Sequence, residues 1–481
     1  MQQLKYTLFI ALLGLTLAGC STPFAAAPIS APPRPTAVST QVSIVAPSPT
    51  LPPPPSAIVA PSATLPPPSP TAPPTVTPEP LEPTPTLAPL AEAEREQVFN
   101  EAWELVRDNY LYSDYNGLDW QAVRAEFLPQ VRAAASPEAF YDLMYQLVER
   151  LGDDHSRFES PQDVARQQAE FAGDLKYVGI GAVVRSVDEG GLILTLAANG
   201  PAQQAGIKTR DLILEVEGIP FNDPDAFGPQ GPIGMIKGAP GTVVRLKVQT
   251  TGEEPREVEV VRQVIPSDAF PKVEGRRLND TIGLVTIETF YVENVDGLVR
   301  QKVEELLGAG PLDGLIIDVR SNSGGYVHLM RNTLGQFIDG GSFGSTGGRT
   351  SNEEQVIPQG QLIEGMRDVP IVVLVGPDSA SAAEMFAAGM QVRNRARLVG
   401  LPSAGNTENL FSYAFDDGSR LMLAEAAYRR PDGTLIEGEG VIPDRRIEAD
   451  WWRFAPEDDP QIGAAIDEIA TMRDKSTQAS K

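Results

Sequence analysis

The chain has one cysteine, Cys20, and two histidines, His155 and His328, in 481 residues. So little thiol and imidazole excludes a disulfide framework, a zinc finger, an iron–sulfur site and a multi-histidine metal centre. Basic residues are also short: 39 Lys and Arg stand against 64 Asp and Glu, a net charge of −25. A nucleic-acid backbone demands a local excess of Lys and Arg, so this balance argues against that partner. No lysine occurs between Ala382 and Asp474. The longest leading apolar run, Leu8 to Leu17, is too short for a permanent bilayer span, and nothing later in the chain qualifies. What the chain has is 42% apolar residues and a length suited to two or three domains.

Residues 1–20 read as a signal peptide, with Lys5 as the positive n-region. The run ends in Leu17-Ala18-Gly19-Cys20, which resembles the bacterial lipoprotein cleavage box. That resemblance implies acylation of Cys20 and an extracytoplasmic protein anchored by lipid to the cell membrane; an ordinary signal with a chance cysteine is the alternative. Residues 21–90 hold 23 of the 44 prolines and only three charges, Arg34, Glu79 and Glu82. Such a segment cannot bury enough apolar area to offset its ordering entropy, so a disordered linker is expected. In polyproline II form it would reach roughly 200 Å at most, a spacer between membrane and folded body. A ligand for proline-binding domains is the rival reading.

The folded body is expected to be multidomain α/β. Phe99, Ala102, Trp103, Val106 and Tyr110 fall on one helical stripe, and Phe140, Leu143, Met144 and Leu147 on another. Ser136 is the expected N-cap of the second helix, with Pro137 at its first position. These stripes make 91–170 a helical N-terminal part. Residues 171–265 are β-rich, and they resemble a PDZ domain through Gly179-Ile180-Gly181, Pro201-Ala202-Gln203-Gln204-Ala205-Gly206-Ile207 and Asp211 to Gly218. Arg210 departs from the family, which usually has Gly before the Asp. The resemblance implies a loop, Val178, Gly179, Ile180 and Gly181, whose N–H groups hold a peptide carboxylate.

From residue 281 strands and helices alternate, which predicts parallel pairing with a site at the strands' carboxyl ends. One apolar strand, Leu312 to Val319, runs into Arg320-Ser321-Asn322-Ser323-Gly324-Gly325, and another, Val369 to Val375, into Ser379-Ala380-Ser381-Ala382-Ala383-Glu384. A serine at a helix N-terminus sits in the field of unpaired N–H groups, which suits an acyl-transfer nucleophile, though serine is also a favoured cap. Paired glycines let backbone donors approach an oxyanion.

Together these junctions resemble the S41 peptidases, the tail-specific or C-terminal processing proteases. The resemblance also takes in Leu151-Gly152-Asp153-Asp154-His155-Ser156-Arg157-Phe158 and Glu437-Gly438-Glu439-Gly440-Val441-Ile442-Pro443-Asp444. It implies a crotonase-like αββ spiral protease core over 266–470, followed by a tail, 471–481. It implies Ser381 as nucleophile, with Gly324 and Ala382 N–H groups as oxyanion donors. The commoner branch pairs the serine with a lysine about 25 residues later; here Asn406 stands at that place, and asparagine takes no proton at neutral pH. A second branch, similar to the tricorn core, uses Ser, His and Glu. By that resemblance His155 is the base and Glu437 its orienting carboxylate, with Glu439 second, while His328 reads as a helix-face residue. The expected activity is a membrane-tethered serine endopeptidase acting on protein or peptide substrates, possessing no cofactor and no metal. The alternative is an inactive, PDZ-containing peptide-binding lipoprotein.

Overall fold

The computed structural model describes residues 87–479 apart from 154, 172–176, 224–225, 228–230 and 267–268. The expectations for the signal peptide, for Cys20 and for nearly all of the proline-rich segment therefore lie outside the described residues. Among the described residues no helix is long and apolar enough to cross a membrane.

Helices Glu92–Asn109, Trp120–Ala133 and Pro137–Glu149 bury Phe99, Trp103, Phe127, Phe140, Met144 and Leu147 together. The first and third follow the expected stripes, and Ser136 Oγ accepts the Ala139 N–H at 3.2 Å, as an N-cap should. The middle helix was not anticipated, because Pro129 interrupts its pattern. It starts at Asp119, whose Oδ1 accepts the N–H groups of Gln121 and Ala122. Leu421, Leu423 and Phe158 complete this cluster, so the helices rest on the end of a sheet.

The PDZ region pairs strands Ala182–Val187, Gly190–Leu196, Leu212–Val216, Val243–Gln249 and Arg256–Val261 in antiparallel order, over Ile193, Ile213, Val244 and Leu246. Arg210 takes the φ of +74° that glycine would take without strain. Its guanidinium leaves the domain: it bonds Asp459 Oδ2 at 3.1 Å and the Trp451 carbonyl at 3.2 Å, with its charge 4.7 Å over the Trp451 ring. Asp459 also receives Arg320, a buried side chain paired with Asp318 at the end of a core strand. Arg185 likewise pairs with Asp378, just ahead of Ser379. The departure from the PDZ pattern is thus a tie between this domain and the core.

Glu288 sits at the same junction, where Thr195 Oγ1 donates to it at 3.2 Å. Burial, aided by the Asp318 charge, pushes its carboxyl up to about 7. The unfolded chain therefore loses this proton at lower pH than the folded one. The neutral carboxyl is fully compatible with folding below the ordinary carboxylate range, and stability is lost as pH rises from there through about 7. Glu288→Gln should therefore be more stable than wild type at pH 8, by up to about 3 kcal/mol, and no more stable at pH 4 (values chosen on either side of the window). Paired urea titrations at the two pH values measure this; an equal difference at both would contradict it.

The core holds two sheets. In the first, Ile282–Ile287, Gly314–Asp318, Ile371–Val375 and Ala396–Gly400 run parallel, in that spatial order. Leu315, Ile317, Ile371 and Val373 face helices Val295–Gly308, Val327–Gly335 and Ala382–Val392, while Ile316, Val372 and Leu374 face helix Pro460–Ala479. Burial on both faces explains why these strands read as unbroken apolar runs. The second sheet pairs Arg420–Arg429 with Arg157–Glu159, Glu408–Ala414 and Gly341–Gly348. Gly341–Gly348 is an unpromising strand by composition, yet it has to be glycine-rich: a methyl on Gly348 would lie 1.7 Å from the Glu425 carbonyl oxygen, and one on Gly344 2.3 Å from that of Arg429. Gly348→Ala should cost about 3 kcal/mol by overpacking, read as a lowered urea midpoint. An unchanged midpoint would show that the two strands separate without penalty.

Candidate active site

Strands Gly314–Asp318 and Ile371–Val375 are parallel neighbours, so the loops leaving their carboxyl ends meet. Ser379 ties the two loops: its Oγ donates to the Val319 carbonyl at 2.8 Å and accepts the Gly376 N–H at 3.1 Å. The Ala380 N–H adds a bond to the Asn322 carbonyl at 3.0 Å. Of the two serines, Ser379 is therefore engaged in structure. Ser381 differs. It opens helix Ala382–Val392 at φ 54° and ψ −120°, a conformation that L-residues seldom adopt, and its side chain makes no capping bond. An ordinary serine cap has extended φ and ψ and donates nothing to strain, whereas a sharp strand-to-helix turn at positive φ is how a nucleophile elbow presents its hydroxyl.

Gly324 lies directly against this serine. A methyl built on it would fall 2.7 Å from Ser381 Cβ and 3.1 Å from the Ala382 nitrogen. Ala382 is at the first position of the helix, and among the described residues its N–H donates to no backbone carbonyl, as at other helix starts. Gly324 thus packs on Ser381, but its N–H is turned elsewhere. Its N–H donates to Asn322 Oδ1 at 2.8 Å, in an Asx turn fixed by the bond from Asn322 Nδ2 to the Ile287 carbonyl at 3.0 Å. Asn322 is fully buried, so this turn is well held. Of the two expected oxyanion donors, only Ala382 is open in this state.

Asn406 lies against Ser381. Its carbonyl accepts the Ser381 N–H at 2.7 Å. Beneath both lies Glu384, a fully buried carboxylate. Its Oε2 accepts from Ser381 N at 3.0 Å and Asn406 N at 2.8 Å, and its Oε1 from Gly405 N at 2.7 Å and Ser403 Oγ at 2.5 Å. Burial pushes the Glu384 carboxyl up, opposed by these donors. All four partners give protons and none takes one, which favours the carboxylate. Sequence reading quoted this residue without a role; the Ser381-x-x-Glu384 spacing, that of a capping box, was the available signal.

The loop continues to Thr407, whose N–H and Oγ1 both donate to Glu437 Oε2, at 2.6 and 3.0 Å. Glu439 is exposed two residues on, so Glu437 is the carboxylate that turns inward. Burial pushes its carboxyl up, with Glu384 and Asp153 adding to the effect. Asp153 belongs to the turn that carries His155. Its Oδ1 accepts the His155 N–H at 2.9 Å and the Ser156 N–H, and Ser156 Oγ accepts the Ala424 N–H at 3.0 Å. Strand Arg420–Arg429 pairs with Glu408–Ala414, which directly follows Thr407. Tyr112 closes the group by donating to Glu408 Oε1 at 2.8 Å, and burial raises its phenol, with Glu408, Glu437 and Asp153 adding negative charge. Glu437 thus feels Asp153, in the turn that carries His155, and Glu384, which bonds the Ser381 N–H, so these three loops lie near one another. His328 is exposed, on the face of its helix, beside Tyr326. Within the described residues no group of three or more His, Cys, Asp and Glu is arranged to hold a metal.

In the PDZ region, strand Tyr177–Gly179 pairs with Gln263–Ile265, and Ile180 is buried with its carbonyl accepting the Ala202 N–H at 2.8 Å. Gly181 has φ +73° and turns the chain into the next strand.

Residues 281–447 match Peptidase family S41, residues 91–149 the Tricorn protease C1 domain, and residues 192–250 a PDZ domain. The chain is similar to the carboxyl-terminal-processing protease of Synechocystis sp., with 26% identity over 387 residues, 79% of this chain and 88% of the relative. The corresponding protease of Picosynechococcus sp. is 26% identical over 384 residues, 79% of this chain and 90% of the relative. The fold resembles that of the photosystem II D1 C-terminal processing protease, with TM-score 0.54 and 23% identity over 74% of this chain and 94% of that one. The chain thus carries a peptidase family S41 domain, preceded by a Tricorn protease C1 domain and a PDZ domain, and with its similarity to carboxyl-terminal-processing proteases it is a serine-type peptidase.

Proposed function

We propose that the protein is an exported, lipid-anchored endopeptidase that cleaves protein substrates through an acyl-enzyme; the name of its relatives, carboxyl-terminal-processing proteases, supports the cleavage of proteins. His155 takes the Ser381 proton, Ser381 Oγ attacks the carbonyl, and the imidazolium returns the proton to the leaving amine; water then releases the acyl group. Glu437 orients the imidazole. The oxyanion rests on the Ala382 N–H, joined by Gly324 once Asn322 Oδ1 gives up that donor. The observation that carries this reading is the positive φ of Ser381 against Gly324, a strain that a plain helix cap would not need.

Two sets of features support the accessory roles. Cys20 closes a lipoprotein-like box ahead of a long proline-rich spacer, which supports a lipid anchor on the extracytoplasmic face. The N–H groups of Ile180 and Gly181 donate to no backbone carbonyl among the described residues, which supports capture of a substrate's terminal carboxylate by Val178 to Gly181. A fluorophosphonate probe tests the catalytic reading. Labelling of wild type, lost in Ser381→Ala and weakened in His155→Ala, is the expected result. A folded wild type that takes no label would instead favour a tethered peptide-binding protein.

A further inference from the structure

Single exposed rings are ordinary on a protein surface, but two exposed rings here occur as a pair beside the nucleophile. Tyr291 is 56% exposed and Tyr326 38%. Their ring centroids lie 6.0 Å apart, edge to face, and Tyr326 also lies 5.7 Å from the His328 ring. Their place is set by backbone. The Phe290 N–H donates to the Gly324 carbonyl at 2.7 Å, and the Tyr326 N–H to the Phe290 carbonyl at 3.0 Å. Gly325 permits this approach, since a methyl there would sit 2.1 Å from the Phe290 carbonyl carbon. The Phe290 ring points inward, 5.9 Å from Phe386 on the helix that Ser381 opens. In an extended segment the next side chain turns the other way, so Tyr291 faces solvent. The pair therefore forms a lip beside Gly324, the residue packed on Ser381.

We propose that Tyr291 and Tyr326 form an apolar subsite that holds an aliphatic or aromatic substrate side chain next to the scissile bond. This deepens the peptidase reading and rests on it. Neutral rings gain from covering apolar surface while their hydroxyls stay wet. A substrate carboxylate at that place would lose water against ring faces, on a chain whose net charge is already −25.

The test is peptide binding to the full chain carrying Ser381→Ala, read by fluorescence anisotropy. The peptides are C-terminally amidated, to keep them off the PDZ carboxylate loop, and differ only in one residue beside the cleavage point: Phe, Leu or Asp. The Phe and Leu peptides should bind about tenfold more tightly than the Asp peptide, and adding Tyr291→Ala and Tyr326→Ala should shrink that to about twofold. Equal affinities in the Ser381→Ala parent, or a preference that survives loss of both rings, would overturn the proposal. So would a parent that sediments as a dimer and becomes monomeric on losing the rings with its peptide preference intact, since the lip would then be a contact between copies. Fluorophosphonate labelling, followed with Ser381 restored, reports separately on the catalytic reading: failure to label beside an intact binding preference would sink the peptidase mechanism and not the subsite.

Discussion

Ser381→Ala should abolish turnover, lowering kcat by about 10⁴-fold or more while leaving the chain folded. His155→Gln should come close to the same loss, because a hydroxyl without a base is a poor nucleophile at neutral pH. The diagnostic result is the double variant. Two residues that act as one unit are grossly non-additive, so Ser381→Ala with His155→Gln should be no slower than the worse single change. Losses that multiplied would mean that His155 acts elsewhere. The wild-type profile adds a second check. Activity should fall as pH drops through the ordinary imidazole range, since the base is then already protonated. A flat profile between about pH 5 and 8 would rule out the imidazole as the base.

Glu384→Gln should lower kcat about 100-fold with KM changed by less than about threefold. Glutamine keeps the size but replaces one acceptor oxygen with a donor. Whichever way its amide turns, an N–H group faces backbone donors, either those of Ser381 and Asn406 or that of Gly405 beside the Ser403 hydroxyl. Each stranded donor costs about 1–3 kcal/mol, so the urea midpoint should fall as well. Ser403→Ala separates the two effects. It removes one partner from the far oxygen and leaves the Ser381 and Asn406 bonds intact, so it should lower stability but spare kcat. Since Ser403 Oγ also accepts the Val441 N–H at 2.6 Å, that stability loss should be clear. A Glu384→Gln enzyme with full kcat would show that the strained turn at Ser381 holds without its carboxylate.

The Ser381 turn also illustrates how far local pattern reaches. Serine at a helix start was legible, but its reading as cap or nucleophile was not, because that depends on a φ angle held by Asn406 and Glu384 from 25 and 3 residues away. Asp153 and Thr407 were missed for the same reason: each holds a catalytic candidate through a bond to backbone or to a distant loop. The helix Trp120–Ala133 was hidden by an internal proline, and the strand Gly341–Gly348 by four glycines that only its close neighbour explains.

Residue order alone determined the architecture. Apolar stripes of helical period, unbroken buried strands and the Gly and Ser junctions are local properties, so two of the N-terminal helices and the buried strands were readable from them, and motif resemblance added the PDZ region and the peptidase core. Tertiary structure decided which groups meet. The burial of Glu384, the inward turn of Glu437 rather than Glu439, the engagement of the Gly324 N–H by Asn322 and the anchoring of Arg210 on Asp459 all join residues through space. Hydrogen-bond partners and electrostatic neighbours depend on three-dimensional separation, which periodicity along a chain does not encode.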